Sequence, residues 1–173
     1  MAEHPRIPKP PAQLILSTPE HLLAFGFGAG LAPRAPGTFG TLVGVLLFLP
    51  LLWLPWLLYA GLVALLFVAG CWICGESARL LGVHDYGGIV FDEIVGYLIA
   101  AAPLVYAAPA GPGGWALGMF LAFVLFRLFD IAKPWPIRVL DRRVGGGLGI
   151  MADDVLAGLV AALCLLGIRR LMA

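Results

Sequence analysis

Two pairs of adjacent acidic residues are the part of this sequence whose residue types and spacing could do chemistry. Asp92-Glu93 and Asp153-Asp154 each lie at the start of a long apolar segment. One such pair is well placed to cap a helix or to interact with its dipole. Two pairs brought together would repel each other unless a cation neutralised them, and carboxylate oxygens in this number are typical ligands of Mg²⁺. The pairs therefore predict a site for Mg²⁺ or a similar cation.

Further acidic residues extend this set. Asp85 precedes the first pair, and Asp130 ends another apolar segment. His84 is a candidate extra ligand or proton carrier, although an ordinary loop histidine is the alternative. No paired Cys/His ligands of a structural zinc site accompany these residues, and the C-x-x-C pair at 71–74 is interpreted as packing residues of a helix. The predicted metal ligands are Asp85, Asp92, Glu93, Asp153 and Asp154.

Two glycine-rich segments and a few basic residues could bind an anionic substrate beside such a cation. Residues 32–40 form a proline- and glycine-rich turn that leads into an apolar segment, and the backbone N–H groups of a helix N-terminus can bind phosphate. In this turn Arg34 could bind phosphate oxygens with two hydrogen bonds, and Lys133 could act as a point charge. Residues 145–149 form a similar glycine-rich segment just before Asp153.

The composition indicates whether these groups belong to a soluble protein or to a membrane protein. The chain has 173 residues, of which 61% are hydrophobic and 12% charged, with a mean hydropathy of +0.98. A soluble domain carries about 25% charged residues, so the composition excludes a water-soluble enzyme and a disordered chain. The net charge of +1 also excludes a nucleic-acid binder, which needs a basic surface. The sequence predicts a membrane protein.

Long uncharged segments predict the membrane spans. Residues 35–75 and 94–126 carry no charge, and a helix crosses a bilayer with about 20 residues. Each stretch therefore contains two spans or parts of two, separated by proline- and glycine-rich turns. The prediction is an all-α, polytopic membrane helix bundle with spans at about 38–54, 57–78, 89–106, 115–132 and 151–170. Residues 21–32 are predicted as an interfacial helix, residues 1–20 as a polar cytoplasmic segment, and 21–173 as one membrane-embedded domain.

Alternate threading of five spans places the charges on one side of the membrane. That side holds all ten acidic residues and nine of the eleven basic ones, and only Arg169 and Arg170 lie opposite. The positive-inside rule assigns the charged side to the cytoplasm. Asp92, Arg127 and Asp130 then lie roughly 5–8 Å inside the span ends, where charged groups normally face a cavity or a partner. A structural ion pair between Arg127 and Asp130, at helical i, i+3 spacing, is the alternative interpretation.

Four sequence segments resemble the signatures of the phosphatidylglycerophosphatase A family. They are 32–40 (APRAPGTFG), 84–96 (HDYGGIVFDEIVG), 126–137 (FRLFDIAKPWPI) and 146–158 (GGLGIMADDVLAG), and they occur in the order found in the family. The resemblance implies a Mg²⁺-dependent lipid phosphatase of bacterial membranes that makes phosphatidylglycerol. Tyr86-Gly87 departs from the family pattern but leaves the acidic positions intact.

The resemblance carries roles to individual positions. It implies that Arg34, Gly37, Thr38 and Lys133 bind the substrate and that Arg127, Asp130 and Lys133 are catalytic. Asp130 is expected as the general base, with a nucleophile that forms a phospho-aspartate as the alternative. The implied partners are the lipid phosphatidylglycerophosphate and membrane lipids, with no nucleic acid. The implied location is the bacterial inner membrane, with the active site facing the cytoplasm.

Two other functions are compatible with membrane carboxylates. A CDP-alcohol phosphotransferase also uses them with a cation, but its D-x-x-D-G-x-x-A-R pattern does not match the adjacent pairs of this chain. A divalent-cation transporter would need polar residues on both membrane faces, whereas the predicted outer half has no acidic residue.

Overall fold

The computed structural model describes residues 10–83, 86–109, 111–135, 137–139 and 144–172. Within these ranges the secondary structure is helical, with no β-strand. The helices are α1 (Ala12–Ser17), α2 (Pro19–Ala24), a 3-10 helix (Gly26–Leu31), α3 (Pro36–Leu51), α4 (Trp56–Leu81), α5 (Phe91–Tyr106), α6 (Gly111–Ala132) and α7 (Gly146–Met172).

Helices α3 to α7 coincide with the five predicted spans. Three of them, α4, α6 and α7, are long and apolar enough to cross a membrane. Helices α3 and α5 have 16 residues each, and at 1.5 Å per residue they measure about 24 Å, less than the roughly 30 Å of a hydrocarbon core. The predicted all-α membrane bundle is therefore confirmed, but two of its five spans are shorter than a full crossing requires.

Helix α5 is the centre of the bundle. It packs against α3, α4, α6 and α7, and most of its side chains are buried. The Tyr59 hydroxyl of α4 donates a 2.6 Å hydrogen bond to the Leu98 carbonyl of α5, and the ring of Phe48 makes edge contacts with Tyr59 and Tyr97. The central position of α5 fixes the place of the acidic residues in its first turn.

Two helices that carry charged residues are each followed by a residue with a positive φ angle. Helix α4 ends at Leu81, and Gly82 after it has a φ of 68° and donates its N–H to the Arg79 carbonyl, as glycine commonly does after a helix. Helix α6 ends at Ala132. Lys133 after it has a φ of 40° and is followed by Pro134, a residue that cannot continue a helix.

Helix α7 begins earlier than the sequence predicts. Its first residue is Gly146 rather than a residue near Met151. Gly147 lies so close to the Cys71 carbonyl and the Gly75 backbone of α4 that a Cβ at this position would overlap them. The glycine-rich segment is therefore the first turn of a helix packed on α4, and not the flexible phosphate-binding loop that the sequence suggested.

Residues 21–32 form two short helices instead of one interfacial helix. Gly26, Phe27 and Gly28 all have positive φ angles, which interrupt any continuous helix. His21 is buried and its Nδ1 lies 2.8 Å from the Ser77 hydroxyl of α4. Burial lowers the pKa of the His21 imidazole, and the nearby Glu20 carboxylate opposes that shift. The segment is thus fixed to the bundle by a buried polar contact.

Contacts at the two ends of the bundle show how the helices alternate. At one end, Lys133 after α6 meets Asp153 of α7. At the other end, the Arg169 guanidinium of α7 donates to the Pro103 carbonyl of α5 over 2.8 Å, and Trp56 contacts Tyr106. The first turns of α3, α5 and α7 and the last turns of α4 and α6 therefore share one end, as the threading predicted.

Candidate active site

Three carboxylates from two helices meet at the charged end of the bundle. Asp92 and Glu93 lie in the first turn of α5, and Asp154 projects from α7. One oxygen of each carboxylate lies within 4.8 Å of the others. Asp154 is only 3% exposed, and Asp92 and Glu93 are partly buried. The crossing of α5 and α7 therefore places like charges together in a poorly solvated position.

Helix capping does not explain these carboxylates. The residue at the N-cap of α5 is Val90, one position before the helix. Asp153 and Asp154 lie about two turns inside α7, because that helix begins at Gly146. Neither acidic pair occupies the cap position whose side chain would accept the first free N–H groups.

The carboxylate group has the properties expected of a cation site. Asp92 Oδ1, Glu93 Oε2 and Asp154 Oδ2 are buried and have no hydrogen-bond partner in the part of the chain that the structure describes. Buried polar atoms without a partner destabilise a fold, and a cation would remove that cost. The donor set consists of carboxylate oxygens, which suit Mg²⁺. The residues present therefore fit the predicted metal.

Two basic side chains pair with the remaining carboxylates. Arg127 Nη1 lies 2.5 Å from Asp130 Oδ2 and 3.8 Å from Glu93 Oε1, so the predicted i, i+3 pair is present. Lys133 Nζ lies 2.6 Å from Asp153 Oδ2. The left-handed backbone at Lys133 ends α6 at this point. Asp153 thus pairs with a lysine, whereas its neighbour Asp154 lies with the carboxylates of Asp92 and Glu93.

The carboxylates and Lys133, but not Arg127, line one cleft of about 170 Å³. Its acidic and basic lining residues come from α5, from the end of α6 and from α7, so that both charges border the same space. We call it the acidic cleft. It is lined by Gly87, Ile89, Asp92, Glu93, Asp130, Lys133, Val144, Gly149, Ile150, Asp153 and Asp154.

Gly37 brings the first turn of α3 against this group. A Cβ at Gly37 would overlap the Glu93 carboxylate and come within 3.0 Å of Arg127 Nη1. Pro36 begins the helix here, as proline often does, and the Thr41 hydroxyl donates to the Gly37 carbonyl over 2.8 Å. A larger residue at position 37 would therefore displace the Glu93 and Arg127 side chains from their present places.

Not all predicted site residues line the acidic cleft. Arg34 is exposed in the loop before α3, and Thr38 is partly buried in the first turn of that helix, where its N–H donates to the Ala35 carbonyl. Neither lines the acidic cleft, and Gly37 and Arg127 do not line it either but lie against Glu93 and Asp130 behind its wall. Asp85 and His84 lie outside the described residues.

Sequence reasoning missed the apolar part of the cleft wall. Ile89, Val144 and Ile150 line the cleft beside the charged residues. In a chain with 61% hydrophobic residues, three more apolar side chains give no signal that could distinguish them from core or lipid-facing positions.

Comparison with known proteins gives a consistent result. Residues 22–169 match the family model described as phosphatidylglycerophosphatase A. The chain is 44% identical to the phosphatidylglycerophosphatase A of Escherichia coli K12, over 87% of this chain and 84% of that protein. It is also 44% identical to the Haemophilus influenzae protein of the same name, over 94% of this chain and 96% of that protein.

A third relative carries a different name. A Bacteroides thetaiotaomicron protein described as a candidate phosphatidylinositol-3-phosphatase is 40% identical over 86% of this chain and 92% of its own length. No solved structure matches the chain.

Proposed function

This chain belongs to the phosphatidylglycerophosphatase A family, and from that premise we propose that its substrate is phosphatidylglycerophosphate. The family's activity is the hydrolysis of a phosphomonoester. The proposed products are phosphatidylglycerol and inorganic phosphate, so that the enzyme supplies a membrane phospholipid. The observation that carries the proposal is the acidic cleft, in which carboxylates and Lys133 border one space at the end of a membrane bundle.

The proposal includes Mg²⁺ as the cofactor. Asp92, Glu93 and Asp154 would hold it, since their oxygens converge and include buried atoms without partners. Asp153 lines the same cleft as a further candidate ligand, and Asp85 stays a predicted ligand outside the described residues. When bound, Mg²⁺ would neutralise phosphate charge and favour ionisation of a water molecule.

Arg127 and Lys133 would bind the oxygens of the phosphoryl group. In the structure each pairs with a carboxylate, Arg127 with Asp130 and Lys133 with Asp153. A phosphomonoester entering the cleft would compete with Asp153 for Lys133, which lines it, and would reach Arg127 only by displacing it from Asp130, since Arg127 lies behind the lining. Their positive charge then stabilises the negative charge that the phosphoryl oxygens carry in the transition state.

Asp130 is the proposed general base. It lines the cleft, and its side chain is 13% exposed, so an entering water molecule can reach it. Its Oδ atoms would accept the proton of a water molecule that attacks phosphorus, while Arg127 holds the carboxylate in place. Attack by Asp130 itself, with a phospho-aspartate intermediate, is the alternative route.

The proposed location is the bacterial inner membrane, with the acidic cleft facing the cytoplasm. The described basic residues near the cleft lie at the end of the bundle that the positive-inside rule assigns to the cytoplasm. The acyl chains of the lipid would stay in the bilayer while its headgroup enters the cleft.

A transport function is less well supported. The opposite half of the bundle has a groove of about 540 Å³ between α4, α5 and α7, and the residues around it are almost all apolar. A divalent cation moving through the protein would need oxygen ligands along its path. The few polar side-chain atoms around this groove belong to Tyr59, Tyr106 and Trp56. The Tyr59 hydroxyl already donates to the Leu98 carbonyl.

Phosphate release by the purified protein in detergent tests the proposed function. We expect hydrolysis of phosphatidylglycerophosphate that stops with a chelator and returns with added Mg²⁺. Phosphatidylinositol 3-phosphate is the comparison substrate, and we expect a lower kcat/KM for it. Full turnover in excess chelator would contradict the role of the metal, and faster hydrolysis of the inositol lipid would contradict the proposed substrate.

A further inference from the structure

A second cleft adjoins the acidic cleft, and Gly87 lines both. It has a volume of about 450 Å³ and lies between α1, the 3-10 helix, the loop before α3 and residues 86–88. Gly87 is exposed, and a Cβ at this position would meet no atom within 4 Å. The two clefts therefore share Gly87, an exposed residue without a side chain. We call the second one the loop cleft.

The loop cleft has a neutral wall and one charged residue beside it. Its lining residues are Pro10, Ala12, Gly30, Leu31, Ala32, Pro33, Pro36, Tyr86, Gly87 and Gly88, and none of them is charged. Arg34 lies in the loop between Pro33 and Pro36 and is exposed. Among the described residues it forms no hydrogen bond or ion pair, so its guanidinium is available to an anion outside the acidic cleft.

The elements around the loop cleft also carry side chains suited to a bilayer. Leu14 and Leu16 of α1 are 43% and 51% exposed, and Phe27 of the 3-10 helix is 57% exposed. Exposed apolar side chains at the charged end of a membrane bundle are suited to the boundary between acyl chains and headgroups. The loop cleft is thus bordered by elements that carry exposed apolar side chains, and it shares Gly87 with the acidic cleft.

We propose that the loop cleft holds the part of the lipid headgroup between its phosphomonoester and its acyl chains, with Arg34 binding the phosphodiester. This inference rests on the proposed function. The substrate has two phosphate groups separated by a glycerol, and Arg127 and Lys133 serve the one in the acidic cleft. The second anion lies on the acyl side of the headgroup and needs a separate cation, which Arg34 supplies. Arg34 is then a specificity residue for lipids with a phosphodiester, and it does not touch the reacting phosphate.

Inhibition by two fragments of the headgroup tests this assignment. Glycerophosphoglycerol contains the phosphodiester but no phosphomonoester, whereas inorganic phosphate mimics only the phosphomonoester. Both are tested against phosphatidylglycerophosphate hydrolysis by the full-length protein in detergent. In Arg34→Gln we expect the inhibition constant of glycerophosphoglycerol to rise roughly tenfold or more, the effect of losing one charge-assisted contact. The inhibition constant of inorganic phosphate should change less than about twofold, since it binds elsewhere.

A second variant tests the junction of the two clefts. In Gly87→Leu a side chain enters the open space, and we expect a larger rise for glycerophosphoglycerol than for phosphate. Gly61→Leu on α4 is the matched control, because a Cβ at Gly61 also meets no atom within 4 Å. Equal shifts for both inhibitors, or no inhibition of the wild type by glycerophosphoglycerol, would overturn the assignment of the loop cleft alone. Absence of phosphatidylglycerophosphate hydrolysis by the wild type would overturn the proposed function and this inference with it.

Discussion

Asp153 and Asp154 are adjacent in sequence but have different surroundings. Asp154 lies with Asp92 and Glu93, whereas Asp153 pairs with Lys133 over 2.6 Å. Successive residues of a helix point in directions about 100° apart, because a turn takes 3.6 residues. One side chain is therefore placed for the proposed cation, while its neighbour holds the lysine that we propose binds phosphate.

Replacement of a carboxylate by its amide separates a metal ligand from a structural polar group. Asp92→Asn and Asp154→Asn keep the side-chain size but remove a negative charge that a cation needs. We expect each variant to lose phosphatidylglycerophosphate hydrolysis by about 10²-fold or more, the scale of one strong electrostatic contact in a transition state. The measurement is kcat in detergent, with correct insertion checked by gel filtration.

Glu76→Gln is the matched control for these variants. Glu76 is also acidic, but it forms an ion pair with Arg79 on the surface of α4 and does not line the acidic cleft. We expect it to keep nearly full activity, because exposed pairs contribute little. A loss as large as in Asp92→Asn would contradict the site as described.

A substitution of Gly37 tests the close approach of α3 to Glu93 and Arg127, because glycine itself has no functional side chain to lose. Gly37→Ala would place a methyl group against Glu93 and Arg127, so these side chains must move from their present positions. Small displacements at an active site strongly reduce rates, and we expect kcat to fall by about tenfold or more. Gly61→Ala, at an open position of α4, should keep its activity; equal activity of the two variants would contradict the close approach of α3.

At the level of the helices, the crossing of α4 and α7 depends on glycine. Gly147→Ala would overlap the Cys71 carbonyl, and separating two packed helices costs about 1–3 kcal/mol or more. We expect a lower unfolding temperature in detergent. Gly167→Ala in the same helix meets no neighbouring atom and should be neutral or stabilising, by up to about 1 kcal/mol from helix propensity. Equal unfolding temperatures of the two variants would show that the crossing is looser than described.

The contact between α2 and α4 predicts a dependence of stability on pH. Burial lowers the pKa of His21 in the folded protein, relative to about 6.5 in an unfolded chain. The unfolded state therefore binds more protons. The stabilisation that neutral His21 contributes is present above a pH of about 6.5, and it is lost as the pH falls toward the folded-state pKa of His21. The unfolding temperature should fall as the pH is lowered from about 7.5 to about 5.5. It should fall less in His21→Gln. An equal fall in both proteins would assign the effect to other groups.

At the level of the whole molecule, the helix alternation fixes which loops share a membrane face. In a background with Cys71, Cys74 and Cys164 replaced by alanine, Val83→Cys and Ala108→Cys place single thiols in loops at opposite ends of the bundle. An impermeant maleimide should label position 108 in intact cells and position 83 only after permeabilisation. Labelling of position 83 in intact cells would contradict the proposed cytoplasmic location of the acidic cleft.

The sequence by itself determined the class of protein, the number and order of the helices in the bundle, and the end that carries the charges. These properties follow from hydropathy and charge along the chain, because a bilayer requires long apolar helices and makes buried charges costly. The same reasoning identified Asp92, Glu93, Arg127, Asp130 and the pair at 153–154 as candidate site residues.

Only the tertiary structure decided which of these groups meet. It placed Asp154 with the α5 pair and Asp153 with Lys133, moved the start of α7 to Gly146, left Arg34 outside the acidic cleft, and joined a second cleft at Gly87. The physical reason is that hydropathy fixes the number and order of the helices but not their exact ends, rotation or crossing distance. Those depend on close packing between particular small residues, such as Gly37 against Glu93 and Gly147 against Cys71.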